Sequence, residues 1–365
     1  MKLLITSVGS LLGQNILDSI ESRRSLIKVI GTNSIAENPR NFRCDKVYLV
    51  HNTKSNQFNK DFTAIIKKEK PDFILPGRDE DCIFMSEYKS NHPEEFAKKI
   101  PFGSSFIPKI IFDKYQTHLF CKKNKLAFAD SFLVHKSERT GLNEFIQKHG
   151  FPLIVKPREG FGSSGVHFVL NKNQLNKSLS DTEVLLQEYL GNPDDIFKYQ
   201  KQFIRGIPLF FQITEKEQYA AQTIISPNGQ IGEVFITINT MVMGRAEYTK
   251  QIENKDIEKL VGEFSRIFYQ KGYYGPLNFQ LKPDKHGIWK VFELNPRFTG
   301  TSSGRNLLGY DEFGILVNLF IPEFKITNFT KSEKVKGRVI KYLHDNLLLD
   351  ENIELLCKDK VWRNS

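Results

Sequence analysis

The sequence predicts an open α/β domain followed by α+β structure. Three observations predict it. Strand-like and helix-like segments alternate from the first residues to about Ser105, as in a sheet covered by helices on its faces. Beyond Pro108 the apolar runs come in pairs joined by short polar links, which is hairpin patterning. The chain has 365 residues, more than one hydrophobic core organises, so two or three domains are expected.

Lys2 to Thr6 reads as a short buried strand. Ser7-Val8-Gly9-Ser10-Leu11-Leu12-Gly13 follows, then an amphipathic run from Gln14 to Ser22. Strand, glycine turn and helix open a doubly wound unit. Gly9 and Gly13 fall short of the full dinucleotide fingerprint, and no acid closes the second strand, Lys28 to Thr32, to hold a ribose. A tight turn with close helix packing explains these glycines better than an oxidoreductase site does. Cys44 to Val50 reads as a strand, Asn59 to Lys70 as a helix, and Pro71 to Leu75 as a strand ended by Pro76-Gly77. Arg78-Asp79-Glu80-Asp81 then opens a helix, and capping with the helix macrodipole accounts for its acids better than binding of a cationic substrate group does.

Ile110 to about Lys125 reads as a helix that Asp113 caps within its first residues, leaving Lys114 in the first turn. A cation is unfavourable there unless an anion lies nearby. Phe151 to Pro157 is an apolar strand ending in Lys156. It runs into Arg158-Glu159-Gly160-Phe161-Gly162-Ser163-Ser164-Gly165, and Val166 to Leu170 follows as a strand. Small residues between two strands let backbone N–H groups approach phosphate oxygens closely. A strand follows where the P-loop needs a helix, so this is a glycine hairpin and not that motif. Val184 to Leu190 reads as a strand with an edge open to an adenine, and Asp194 and Asp195 stand at ribose-hydroxyl reach. Ile207 to Thr214 and Gln218 to Ser226 read as strands, and Asp256 to Lys271 as a helix. The tail from about Glu323, with strand-like Val335 to Leu343, reads as a closing element.

The segment with the most chemistry is Val291-Phe292-Glu293-Leu294-Asn295-Pro296-Arg297. Strand side chains alternate, so Glu293 and Asn295 share a face. Tyr274 to Leu281 reads as its hairpin partner across Pro283 to Gly287, with Asn278 and Gln280 on one face. If pairing sets that face beside Glu293, then Gln280, Glu293 and Asn295 converge. They are hard oxygen donors of the kind magnesium takes when it shares its shell with a nucleotide's phosphates.

The chain is 40% hydrophobic and 26% charged, as soluble globular proteins are. No apolar run approaches a membrane span, and the first residues lack signal-peptide anatomy. The four cysteines are scattered, which fits packing thiols in a reducing cytoplasm. The net charge of +10 is spread over the chain in lysine doublets. It therefore suits an anionic small molecule better than a nucleic acid, which needs a concentrated basic face.

In this order and spacing, Asp113-Lys114, Ile154-Val155-Lys156-Pro157 with its glycine loop, Gln187-Glu188-Tyr189-Leu190, Asn278-Phe279-Gln280 and Glu293-Leu294-Asn295-Pro296-Arg297 resemble the ATP-grasp superfamily. The resemblance is to its carbamoyl-phosphate-synthase-like carboxylate–amine ligases and covers about residues 1 to 320. It implies a Rossmann-like domain over 1–107, a small ATP-grasp lobe over 108–190, a large lobe over 191–322 and a closing segment over 323–365. Lys114 and Lys156 match the family's basic nucleotide ligands, and Gly160, Gly162, Ser163, Ser164 and Gly165 its phosphate loop. Glu188, Tyr189 and Leu190 match the adenine hinge, and Asp195 stands near the ribose acid. Gln280, Glu293 and Asn295 match the ligands of Mg2+, for which Mn2+ can substitute. Arg297 matches the arginine beside the γ-phosphate, and Arg245 lies where the family places a phosphate or substrate contact.

Two departures stand out. Residues 196–201 lack the family's clean strand after the ribose acid, and there is one core where the synthetase has a tandem pair. The family implies ATP, a small-molecule carboxylate and an amine, joined through an acylphosphate with release of ADP and phosphate. It implies neither nucleic acid nor membrane, and is compatible with a homo-oligomer. The rival reading on the same fold is a non-catalytic ATP sensor.

Overall fold

The computed structural model describes the chain except residues 136–138, 161–163, 180–182, 205–216, 243–244, 325–334, 342–348 and 365. Three sheets organise it. β1 (Lys2–Ile5), β2 (Lys28–Asn33), β3 (Lys46–Leu49) and β4 (Phe73–Leu75) run parallel in the order β3-β2-β1-β4. Parallel strands covered on both faces must be apolar on both, and alternate residues here feed two cores. Leu3 and Ile5 pack with Ile16, Leu17 and Ile20 of the helix Leu11–Ile20. Leu4 and Ile74 pack with Phe62, Ile66, Met85 and Tyr88 of the helices Phe58–Glu69 and Asp79–Asn91.

β5 (Ser131–Val134), β6 (Leu153–Pro157), β7 (His167–Val169) and β8 (Val184–Glu188) form an antiparallel sheet in the order β5-β8-β6-β7. β8 is therefore an interior strand, hydrogen-bonded on both sides. The open edge that its sequence suggested is absent along its length. Val134, Leu153, Val155, Val169 and Leu186 bury against Phe145 and Ile146 of the helix Leu142–His149.

The largest sheet holds β9 (Glu217–Ile225), β10 (Phe235–Val242), β11 (Arg245–Ile252), β12 (Gly275–Pro283), β13 (Trp289–Asn295) and β14 (Arg338–Ile340), in the order β13-β12-β9-β10-β11-β14. One face is apolar: Ala221, Phe279, Leu281 and Leu294 pack on the helix Lys255–Gln270. Asn254 caps that helix, and its Ile257, Leu260, Val261, Phe264 and Phe268 form one buried stripe at helical spacing. The other face carries Gln222, Asn278, Gln280, Glu293 and Asn295 beside Phe235 and Ile224, and Ile224 packs into the core of the parallel sheet. The final strand, β15 (Val361–Arg363), returns to the first sheet and pairs antiparallel with β3.

Short backbone bonds tie the sheets together. Ala129 N donates to Val291 O (2.7 Å) and Val291 N to Ala127 O (3.0 Å), which fixes the small sheet against β13. Gly103 N donates to Tyr274 O (2.9 Å) at the join between first domain and large sheet. A Cβ at Gly103 would lie 2.3 Å from Gly272 O, so only glycine permits that approach. The first helix of the small-sheet region is broken at Asp113 into Phe106–Phe112 and Lys114–Lys123, where the sequence suggested one continuous helix. Residues 207–214, read as a strand, lie outside the described part.

Candidate functional site

The β12–β13 register decides whether the oxygen donors meet. Gln280 pairs directly with Glu293, and Asn278 with Asn295, so all four occupy one face as a two-by-two block. Gln280 Nε2 lies 3.4 Å from Glu293 Oε1. A β-bulge follows between Gln280 and Leu281, and the pairing shifts register there. Glu293 and Asn295 line a cavity together with Lys114, Gly160, Asp79 and Phe292. This donor set fits magnesium in chemistry but carries a single carboxylate. Among the described residues no cluster of three or more His, Cys, Asp or Glu is placed to hold a metal ion. One charge with two amide oxygens leaves a magnesium ion needing phosphate oxygens to complete its shell.

Lys156 reaches the site from β6. It sits opposite Leu185, so Gln187, two residues along β8, shares its face. Lys156 Nζ donates to Gln187 Oε1 (2.8 Å) and Phe292 O (3.3 Å), on the strand that carries Glu293. Burial pulls its pKa down to about 8, against the opposing pull of Glu293; Lys114 pushes the same way as burial. Lys114 opens its helix behind Asp113, which accepts from the N–H groups of Tyr115 and Gln116. Lys114 Nζ donates to Gly160 O (3.2 Å), so the lysine reaches the root of the glycine loop. Gly160 and Gly165 have φ of +140° and +72°, backbone that L-residues avoid. Ser164 and Gly165 form a turn before β7. Gly162 and Ser163 lie outside the described residues. Arg245 opens β11, and its side chain is likewise outside them.

Glu188 and Arg297 are already paired. Both carboxylate oxygens of Glu188 accept from Lys290 Nζ at 3.0 Å, and Oε1 also accepts from Asp130 N (2.7 Å). His149 bridges Asp130 (2.9 Å) and Glu188 (3.5 Å). Burial opposes charge on both Glu188 and His149. The hydrogen bonds win, so Glu188 stays below the usual carboxylate range and His149 rises above its ordinary value. Arg297 makes a two-pronged pair with Asp79 (Nε–Oδ1 2.7 Å, Nη2–Oδ2 2.8 Å). The Asp79–Asp81 acids thus do more than cap their helix: Asp79 reaches the segment after β13, and Asp81 is fully buried, accepting from the hydroxyls of Thr6 and Thr53.

Leu190 is buried, and Tyr189 packs edge-on against Phe168. Asp195 is exposed in the first turn of a helix, Pro193–Lys201, which Asn192 caps. That helix occupies the place where the family's strand was missing from the sequence. The sequence reading gave no site role to Gln187 or Lys290 and read Asp79 as an acid at the start of its helix. Alternation on β8 against Lys156 offered a signal for Gln187; the other two are partners from distant segments.

No family model matches the chain. A stretch of 60 residues, 15% of this chain, is 43% identical to D-alanine–D-alanine ligase A of Bacillus cereus and spans only 20% of that protein. The fold is similar to the ADP complex of an N5-carboxyaminoimidazole ribonucleotide synthetase, at 15% identity and TM-score 0.64, covering 98% of this chain and 84% of that one. It is similar to the Staphylococcus aureus N5-carboxyaminoimidazole synthetase bound to ADP, at 15% identity and TM-score 0.64 over 93% and 79% of the two chains. An L-amino acid ligase from Bacillus licheniformis matches at 15% identity and TM-score 0.60, over 88% and 74%. Likeness at these identities is likeness of fold.

Proposed function

Since this chain has the ATP-grasp fold, we propose that it is an ATP-dependent carboxylate–amine ligase, with the parallel first sheet as its Rossmann-like partner domain. The observation that carries this reading is the pairing of Gln280 with Glu293, which together with Asn295 lines the cavity that Lys114 and Gly160 also line. A substrate carboxylate oxygen attacks the γ-phosphorus of ATP, the bond to the β,γ-bridging oxygen breaks, and ADP leaves. The amine nitrogen then attacks the acyl carbon of the acylphosphate, phosphate departs, and the nitrogen gives up a proton as the amide forms. Phosphoryl transfer asks the protein for position and charge neutralisation more than covalent help.

Lys156 supplies fixed positive charge from a dry position, and Lys114 holds the base of the glycine loop against the same cavity. Closure of that loop would keep water from the acylphosphate. Gln280, Glu293 and Asn295 would hold magnesium, which when bound neutralises phosphate charge. The hinge after β8 would meet the adenine, with Asp195 near the ribose. Arg297 would meet the γ-phosphate on exchanging its Asp79 partner.

The test is ADP release from ATP and Mg2+ on addition of amino acids singly and in pairs, with the product read by mass spectrometry. A product equal in mass to the two acids less water supports ligation. Absence of acid-dependent ADP release would favour an ATP sensor, a reading that the existing pairings of Glu188 and Arg297 also suit.

A further inference from the structure

The root of the glycine loop is tied to the start of the helix Lys114–Lys123. Arg158, the first residue after β6, directs its guanidinium at Asp113, with Nη2 to Oδ2 at 2.5 Å and Nε to Oδ1 at 3.4 Å. Its backbone oxygen accepts from Lys114 N (3.0 Å), and Gly160 O, two residues on, accepts from Lys114 Nζ (3.2 Å). Beyond the paired residues Pro157 and Val184, Arg158 also crosses to Glu183, with Nη1 to Oε2 at 2.6 Å. One side chain thus joins the end of β6, the approach to β8 and the cap of a helix.

These contacts differ in strength. The link to Asp113 is a two-pronged ion pair, whereas Lys114 Nζ rests on a neutral carbonyl. A phosphate oxygen is the stronger partner for an ammonium, so Lys114 can exchange Gly160 O for it while Arg158 keeps the loop root in place. Asp113 serves twice: Oδ1 accepts from the N–H groups of Tyr115 and Gln116, and Oδ2 takes the short bond from Arg158. The Arg158 side chain is 31% exposed and that of Asp113 17%. An ion pair so placed adds little to stability, so position is what it has to offer.

Resting on the ATP-binding part of the ligase reading, we infer that Arg158 is a positioning residue for the nucleotide. With Asp113 it holds the loop root and the Lys114 ammonium at one separation, so that both meet the same phosphate. Glu183 takes the remaining guanidinium nitrogen and keeps the group from turning away.

The experiment compares wild type with Asp113→Asn, Arg158→Met and the double variant. It measures ATP affinity by calorimetry with Mg2+, KM for ATP and kcat of acid-dependent ADP release, and thermal midpoints. Asparagine still caps the helix, so Asp113→Asn removes the charged link alone. Each single variant is expected to bind ATP about tenfold more weakly, with KM rising to match, kcat changing far less and the midpoint nearly level. The double variant should bind no more weakly than either single one, because both remove the same link. Unchanged affinity in the single variants overturns the inference and leaves the ATP reading standing. Losses that add in the double variant overturn it too, since the two residues then act independently. A large fall in midpoint with affinity intact marks the pair as structural and likewise overturns it. A wild type that binds no ATP defeats the nucleotide reading, and this one with it. ATP bound without acid-dependent ADP release defeats the ligase reading alone, and the affinities still decide the inference.

Discussion

At the scale of single residues, Lys156 and Glu293 set the chemistry. Burial holds the Lys156 ammonium at about 8 instead of 10.5, so it is charged below that pH and loses its proton above it. ATP affinity, measured by calorimetry, should therefore fall as pH rises above 8. Lys156→Met should bind ATP about tenfold more weakly at pH 7 and lose that pH dependence. The sign for stability is opposite: the unfolded chain holds the proton more tightly, so this lysine costs stability below about pH 8 and the cost fades toward 10.5. Glu293 supplies the one carboxylate of its block. Glu293→Ala should reduce acid-dependent ADP release by about 100-fold or more while the thermal midpoint barely moves, since the side chain is only half-buried. Magnesium titrated without ATP should give no binding heat with either protein.

At the scale of elements, a site residue's position is an outcome of register and of ion pairs between elements. The polar block exists because Gln280 and Glu293 are opposite one another, and a slip of one residue would turn Glu293 toward the apolar core. The helix Asp79–Asn91 is joined to the segment after β13 by Asp79 and Arg297, and the arginine is almost fully buried. Removing one partner of a buried pair leaves the other charge uncompensated. Asp79→Ala should therefore cost about 3 kcal/mol, read from chemical denaturation. The double change Asp79→Ala with Arg297→Met should recover part of that loss. Lys290 likewise joins two sheets, clamping Glu188 of β8 to β13.

At the scale of the whole molecule, distant stretches of chain complete each other's layers. β15 covers the edge of β3, Leu356 is fully buried in the first core, and Trp362 packs edge-on against Phe42 at 5.0 Å. Two such burials are worth about 3–6 kcal/mol together. Deleting residues 350–365 should lower the thermal midpoint by several degrees and speed proteolysis at the exposed β3 edge, followed by mass spectrometry of the fragments.

Much of the architecture was legible in the sequence because its signals are local. Continuous apolar runs marked β1, β4 and β6, and alternation marked β12 and β13. The helical period from Asp256 to Lys271 marked its helix, and Asp113 is a cap whose side chain accepts from neighbouring N–H groups. Alternation alone put Glu293 and Asn295 on one face, and left Gln280 conditional on the pairing. Only the tertiary structure decided that β8 is an interior strand and that Glu188 and Arg297 are held by Lys290 and Asp79. Those outcomes depend on which strands become neighbours and on which charges from segments more than 100 residues apart meet (Lys290 with Glu188, Arg297 with Asp79). Periodicity specifies the face a side chain takes, whereas its partner is chosen by the packing of the assembled layers.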